Sequence, residues 1–337
     1  MASGIPAARS LLLPLDGGRI SRIIVARPYL SMRSHVISAL LFLLTPLAAF
    51  RAQAALPFET VFKGRDIFER LVARAQRENW RALPLGDRTA RVALAMVGTP
   101  YKGYTLEIDD HVEAPSVNFH GQDCWTTFEI SLGFARMLRA KDAPYAPPDL
   151  LRMIELNRYR GGRCTGNYLS RFHFLEEMFY DNERRGLVTN ITRRFHGADP
   201  ERLSRDIREM TVMWKSYRYL RNNPQLRPEM TRIEARVSAL PIYHIPKSRV
   251  AAIEGEIRNG DIIAVTCRDT GSYTSHVGVA YRDATGLLRI IHASSPRNFG
   301  RVTIDSRLSD YLFTYGDHAG IIVARPNEAP GTSVAAQ

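Results

Sequence analysis

The sequence predicts an α+β fold, with helices through the first two thirds and a meandering sheet in the last third. Two observations carry this. As far as residue 222, apolar residues recur at helical spacing in one segment after another. From Gly260 onward the pattern changes to short β-type runs separated by turn sequences. The 337 residues suffice for one large domain or two modest ones.

The N-terminal part reads as an export signal. Met32-Arg33 opens a basic stretch, Val36 to Phe50 is almost unbroken apolar sequence, and Ala52-Gln53-Ala54 supplies an A-x-A cleavage pattern. The apolar run is too short and too broken for a membrane span, and no later stretch approaches about 20 apolar residues. Residues 1–54 are therefore expected to be a signal peptide on an exported, periplasmic protein, with an uncleaved anchor as the alternative. The residues ahead of Met32 do not fit a signal start, which leaves either a true start at Met32 or an unusually long n-region. In this reading the mature protein begins near Leu56 and has no membrane span.

Phe58 to Arg81 is expected to be helical, and Asp87 to cap a helix over Arg88 to Val97 that ends at Gly98-Thr99-Pro100. Cys124 to Ala140 is a strong helix, with Phe128, Leu132, Ala135 and Leu138 on one stripe. Pro144 to Pro148 breaks the chain; helices follow over Asp149 to Tyr159, Ser170 to Asn182 and Pro200 to Asn222. Pro241 to Ile253 reads as a linker with a short strand or turn. Strands are expected at 262–267, 276–281, 287–293, 302–304 and 320–325, with turns at Asp269-Thr-Gly271 and Asp283-Ala-Thr-Gly286. Residues 331–337 form a polar tail, expected to be disordered.

The formal charge is +12, of which residues 1–54 contribute +5 (six Arg against Asp16), leaving +7 for the rest. Such a surplus suits an anionic polymer without choosing one. In the Arg-rich stretch 202–221, Asp206 and Glu209 are interleaved, which together with the export signal argues for a solvated face and against nucleic acid. No H-E-x-x-H and no paired C-x-x-C spacing occurs, so no metal or other cofactor is expected. Three cysteines cannot all pair with one another, which directs attention to a lone thiol.

Cys124 stands where Gly121-Gln122-Asp123 hands over to a helix. The positive end of the helix dipole favours thiolate there, and unpaired backbone N–H groups can hold an oxyanion. A small buried hydrophobe is the alternative role. A thiol nucleophile needs a base, and His276 opens the strand Ser275-His-Val-Gly-Val. His292 lies in the following strand. If Tyr281 pairs with Leu287 across the turn, His276 pairs with His292 and both rings share a face; an even loop without a bulge would separate them. The sequence leaves that choice open.

Asp123-Cys124-Trp125 at a helix start, Gly260-Asp-Ile-Ile263, Ser275-His-Val-Gly-Val279 and Ile291-His-Ala-Ser-Ser295 together resemble the NlpC/P60 papain-like hydrolases. Gly98-Thr-Pro-Tyr-Lys-Gly103, Val117-Asn118, Tyr168-Leu-Ser-Arg-Phe-His173 and Gly320-Ile-Ile-Val-Ala-Arg325 resemble more closely the DUF1460 subgroup, described as N-acetylmuramoyl-L-alanine amidase-like. The similarity runs from about Ala90 to Arg325. It implies Cys124 as nucleophile, His276 as base and His292 as its orienter. It also implies a papain-like core, with the nucleophile helix on an antiparallel sheet, and a single catalytic domain over 55–330. The long Cys124–His276 interval then holds a helical insertion, at about 145–250. The implied substrate is peptidoglycan or a muropeptide, cut between the lactyl group and L-alanine. The γ-D-glutamyl-diaminopimelate bond is an alternative, as are a non-catalytic wall-binding protein and an acyltransferase. Trp125 departs from the small or hydroxyl residue that more often follows the nucleophile, so it either narrows the cleft or packs. Thr99, Tyr101, Lys102, Asp123, Trp125, Arg171, His173 and Ser275 are the expected substrate-side residues, with Arg171 suited to a stem-peptide carboxylate.

Overall fold

A computed structural model of the chain describes residues 56–268 and 271–329. The signal-peptide reading of 1–54 and the tail at 331–337 lie outside the described residues. Among the described residues, no helix is long and apolar enough to cross a membrane.

The strands in chain order are β1 (Phe62–Lys63), β2 (Val117–Asn118), β3 (Val188–Asn190), β4 (Glu201–Leu203), β5 (Ile242–Pro246), β6 (Ile262–Cys267), β7 (Thr274–Arg282), β8 (Leu288–Ala293), β9 (Val302–Arg307) and β10 (His318–Pro326). β1 and β2 make a small parallel pair; the others form one antiparallel sheet in the order β4-β5-β10-β6-β7-β8-β9, with β3 also on β10. Strands β6 to β9 are the expected meander. Alternation along β6 explains how the sheet is covered: Ile262 and Ala264 join one apolar core, Ile263 and Val265 another. Phe128 from the helix Cys124–Ala140 enters the first core; Val250, Ile253, Leu308 and Leu312, from the short helices Lys247–Ile253 and Leu308–Thr314, enter the second. A third core, around Phe62, Phe68, Trp80 and Phe134, binds the N-terminal helices to the far part of Cys124–Ala140.

The helix Cys124–Ala140 has the expected bounds because its cap is local: Asp123 Oδ1 accepts from the Thr126 N–H, and Thr126 Oγ1 accepts from the Asp123 N–H. Other elements differ from expectation. The first expected helix is interrupted by β1 and by Gly64, whose φ of 85° lies in the left-handed region, leaving a single turn Phe58–Val61 and the helix Arg65–Arg77. The next helix starts at Leu85 after Pro84, which places Asp87 inside the first turn and not at the cap. Ser170–Asn182 is a 3₁₀ turn at Tyr168–Ser170 followed by the helix Leu175–Arg184, so Arg171 and His173 sit in extended chain between them. Pro200–Asn222 is not one helix. It holds β4 and two short helices, Glu209–Val212 and Arg218–Asn222, because edge pairing with β5 takes residues 201–203. Arg227–Ser238 is a helix not anticipated, and Pro241–Ile253 is a strand plus a helix. Residues 145–250 therefore mix helices with β3, β4 and β5 and are not purely helical.

Candidate active site

Cys124 is the first residue of its helix and is half-buried. The expectation that the helix start would make it a ready thiolate does not hold for the resting protein. Burial, and then the nearby Asp123 charge, push the thiol up to about 12, against the opposing pull of the Val277, Trp125 and Cys124 backbone N–H groups. The sulfur therefore rests as a thiol, with three N–H groups placed to favour any negative charge that develops there.

His276 and His292 meet. β7 and β8 pair as Tyr281↔Arg289 and Arg282↔Leu288, two residues off the anticipated Tyr281–Leu287 pairing. The loop is Asp283–Leu287, an odd number of residues, so the face parity is the same. Extended to the strand ends, this register sets Gly278 opposite His292, with His276 on the diagonal. Gly278 suits this crossing, since a Cβ there would come within 2.5 Å of Ile290 Cγ1. His276 Nε2 lies 2.6 Å from His292 Nδ1, with ring centroids 4.7 Å apart.

Sequence reasoning missed the next link. His292 Nε2 lies 3.1 Å from Asp305 Oδ2, on β9. Burial raises the Asp305 carboxyl, but the His292 hydrogen bond and the Ser306 backbone N–H outweigh it and hold the group below its ordinary value. An ionised carboxylate only accepts, so His292 Nε2 carries the proton and donates. His292 Nδ1 is then an acceptor and receives the His276 Nε2–H. The remaining nitrogen, His276 Nδ1, keeps a lone pair for a proton. Burial, then the neighbouring His292 and His318 rings, press His276 well below its ordinary value, so it rests neutral. Tyr311 packs on both rings, at 6.3 Å from His276 and 5.2 Å from His292, and was also missed. No motif marks either residue; only the β9 register and the packing of Leu308–Thr314 bring them in.

Two cavities open on Cys124. The larger, about 390 Å³, is lined by Tyr101, Tyr104, Asp123, Arg171 and Tyr217 among others. The smaller, about 140 Å³, is lined by Ser272, Thr274, Ser275, His276 and Val277. Cys124, Trp125, His173, Phe174 and Glu209 border both. Cys124 and His276 thus share a cavity; among the described residues no hydrogen bond joins sulfur to imidazole, so proton transfer needs a closer approach or one bridging water.

The other expected residues divide. Trp125 packs 6.0 Å from Phe128 and lines both cavities. Tyr101, Asp123, His173 and Ser275 line the cavities. Arg171 does too, but its Nε binds Glu113 at 3.2 Å and its Nη2 binds Glu107 at 3.0 Å, so most of its guanidinium is engaged internally rather than by a carboxylate ligand. Lys102 lines neither cavity; it borders a neighbouring pocket of about 230 Å³ beside Lys63 and Arg218, which shares Tyr104 and Glu107 with the larger cavity. Thr99 lines neither cavity; its carbonyl accepts the Val302 N–H at 2.8 Å and fixes the start of β9.

A family model described as AmiA-like, N-acetylmuramoyl-L-alanine amidase-like, matches residues 91–321. The chain belongs to that amidase-like family. It is similar to a crystal structure of an N-acetylmuramoyl-L-alanine amidase from Bacteroides uniformis, at 28% identity and a TM-score of 0.64, over 72% of this chain and 99% of that one. A Bacteroides fragilis protein with a provisional xylanase name aligns at 29% identity and a TM-score of 0.60, over 70% of this chain and 99% of that one. A Legionella pneumophila protein assigned to DUF1460 shares the fold at 19% identity and a TM-score of 0.57, over 79% and 97% of the two chains. No curated protein matches the amidase-like chain.

Proposed function

We propose that this protein is an exported, periplasmic cysteine amidase with an NlpC/P60-type papain-like core, hydrolysing the N-acetylmuramoyl-L-alanine bond of peptidoglycan or muropeptides. The observation that carries the reading is the ordered chain Asp305–His292–His276, whose last ring lines the cavity at a cysteine on a helix start. The Cys124 sulfur attacks the lactyl carbonyl carbon while its proton passes to His276 Nδ1. The carbonyl electron pair becomes an oxyanion held by backbone N–H groups at the helix start. The amide C–N bond then breaks, His276 gives its proton to the leaving L-alanine nitrogen, and a thioester remains. Water, deprotonated by His276, hydrolyses the thioester and restores the thiol. His292 and Asp305 hold His276 in the tautomer this sequence needs.

The provisional xylanase name of one structural neighbour draws no support from the cleft. Glycoside hydrolysis calls for a pair of available carboxyl groups. Of the acids lining the cleft, Glu107 is bound by Arg171, Tyr168 and the Tyr219 N–H, Asp123 is the helix cap, and Glu209 accepts from the Tyr217 hydroxyl at 3.0 Å, which leaves at most one carboxylate and no pair.

Digestion of purified muropeptides with wild type and Cys124→Ala, followed by mass spectrometry, tests the reading. The expected products are a free lactyl disaccharide and an intact stem peptide from wild type only. A stem cut after D-glutamate would replace the bond assignment with the endopeptidase alternative. Equal biological activity of Cys124→Ala would replace enzyme with wall-binding protein, and a transfer product with an added amine would replace hydrolysis with acyl transfer.

A further inference from the structure

One edge of β10 is taken by β6, and β3 and β5 share the other, β5 pairing at Gly320 and Ile321 and β3 at Ala324 to Pro326. A cavity of about 350 Å³, within the range of small-ligand sites, is lined by the end of β3, the turn after it, the start of β5 and the helix Leu175–Arg184. Glu176, Tyr180 and Glu183 line it at spacings of four and three, so they come from one face of that helix. The cavity shares no lining residue with either of those at Cys124. We propose that it is a second binding site, which takes an acidic amino acid or the acidic end of a peptide.

The charges of the lining set the ligand class. Arg193 and Arg194 are exposed at the cavity and have no ion-pair partner among the described residues; Arg193 lies over the Tyr243 ring at 4.4 Å. An arginine fork matches a carboxylate with two parallel hydrogen bonds. Glu183 accepts from the Asn190 N–H at 2.9 Å and pairs with neither arginine. Both signs of charge thus stand unpaired around one space. A ligand with a carboxylate and an ammonium or N–H group satisfies both, whereas a phosphate would meet Glu183 as a like charge.

Glu176 is the buried member of the lining. It is 3% exposed, and its Oε1 is buried without a hydrogen-bond partner, a costly state that a ligand donor or acceptor would relieve. Burial lifts its carboxyl to about 7, helped by the Glu209 and Glu177 charges and opposed by the Thr274 hydroxyl. A protonated carboxyl donates to a ligand carboxylate, and an ionised one repels it. Binding of a carboxylate is therefore coupled to a proton on Glu176.

Isothermal calorimetry of the wild-type protein with the dipeptide alanyl-glutamate tests the site, with the amidated dipeptide and inorganic phosphate as comparisons. The dipeptide is expected to bind, and the other two to bind more weakly. Arg193→Ala and Arg194→Ala, both surface changes, should each weaken the dipeptide roughly tenfold or more. Affinity of the wild type should fall about tenfold from pH 6 to pH 8 as Glu176 ionises. Glu176→Gln keeps a donor and cannot titrate, so its affinity should stay nearly flat; Glu183, Arg193, Arg194, Glu177 and Glu209 are unchanged in that variant, so the comparison isolates the one proton. Each readout is binding, and its outcome is separate from that of the amide-cleavage assay. Absence of dipeptide binding overturns the site, as does an affinity untouched by both arginine changes, which would put the dipeptide elsewhere. Phosphate bound more tightly than the dipeptide overturns the ligand class. A pH slope in Glu176→Gln equal to that of wild type overturns the part given to Glu176.

Discussion

Replacing Asp305 by asparagine isolates the part of the site that no sequence motif marks. In the wild-type protein the carboxylate accepts from His292 Nε2 at 3.1 Å, and the His292 Nδ1 lone pair accepts from His276 Nε2 at 2.6 Å. An asparagine of nearly the same shape can turn its NH₂ toward His292. That would place the His292 proton on Nδ1, make His276 Nε2 an acceptor, and load His276 Nδ1 with the proton it must be free to receive. The loss has two parts. A hydrogen bond to a charged group is worth about 1.5–3 kcal/mol, or roughly 10- to 150-fold in rate. A wrong tautomer raises the loss toward about ten-thousandfold, the scale known for the equivalent change in a serine protease triad. Asp305→Asn is therefore expected to lower kcat by two to four orders of magnitude, on the order of these principles, with KM little changed. Asp305→Ala, in which water can enter and accept from His292, should fall near the lower end. The assays are muropeptide turnover and the ¹⁵N shifts of the His276 ring, which report the tautomer without any turnover. An Asp305→Asn protein within about threefold of wild type, its His276 proton still on Nε2, would refute the tautomer argument; such a change is under 1 kcal/mol.

Because burial lifts the Cys124 thiol to about 12 and presses His276 well below its ordinary value, the resting pair is neutral. Alkylation of Cys124 by iodoacetamide should then keep rising with pH across the neutral and mildly alkaline range, and the acid limb of kcat/KM should lie below the ordinary histidine value of about 6.5. An alkylation rate already at its plateau at pH 6 would reveal a preformed thiolate–imidazolium pair and contradict this. Glu129, on the nucleophile helix, and Arg158 are both 0% exposed and bonded at 2.8 Å. Glu129→Ala, which strands a buried cation, should cost about 3–5 kcal/mol in urea unfolding, and replacing both partners by apolar residues should cost much less. A loss under about 1 kcal/mol for the single variant would show that water reaches Arg158.

What the sequence determined by itself is what local chemistry decides. The Asp123–Thr126 cap sets the start of Cys124–Ala140, and the β-type runs from Gly260 give strands β6 to β10 to within a few residues at each end. The common face of His276 and His292 was one of two open outcomes. The odd-length loop Asp283–Leu287, with Gly286 at a φ of 85°, settled it in a register two residues away from the anticipated pairing. Charge density misled over 200–222, since an Arg-rich stretch carries no period strong enough to resist pairing at a sheet edge.

Tertiary structure alone decided what depends on partners distant in the chain. Asp305 becomes the terminal acceptor only because β9 lies beside β8, and Tyr311 covers the rings only because Leu308–Thr314 turns back over the sheet. Arg171 reads as a ligand-binding cation until Glu107 and Glu113, far from it in sequence, fold onto it. The helix start favours a thiolate at Cys124, yet burial, a property of the whole fold, outweighs it. The physical reason is the same in each case. Caps, turns and periodicity act over a few residues and are written in the local sequence, whereas desolvation and charge pairing depend on which remote side chains close over a group.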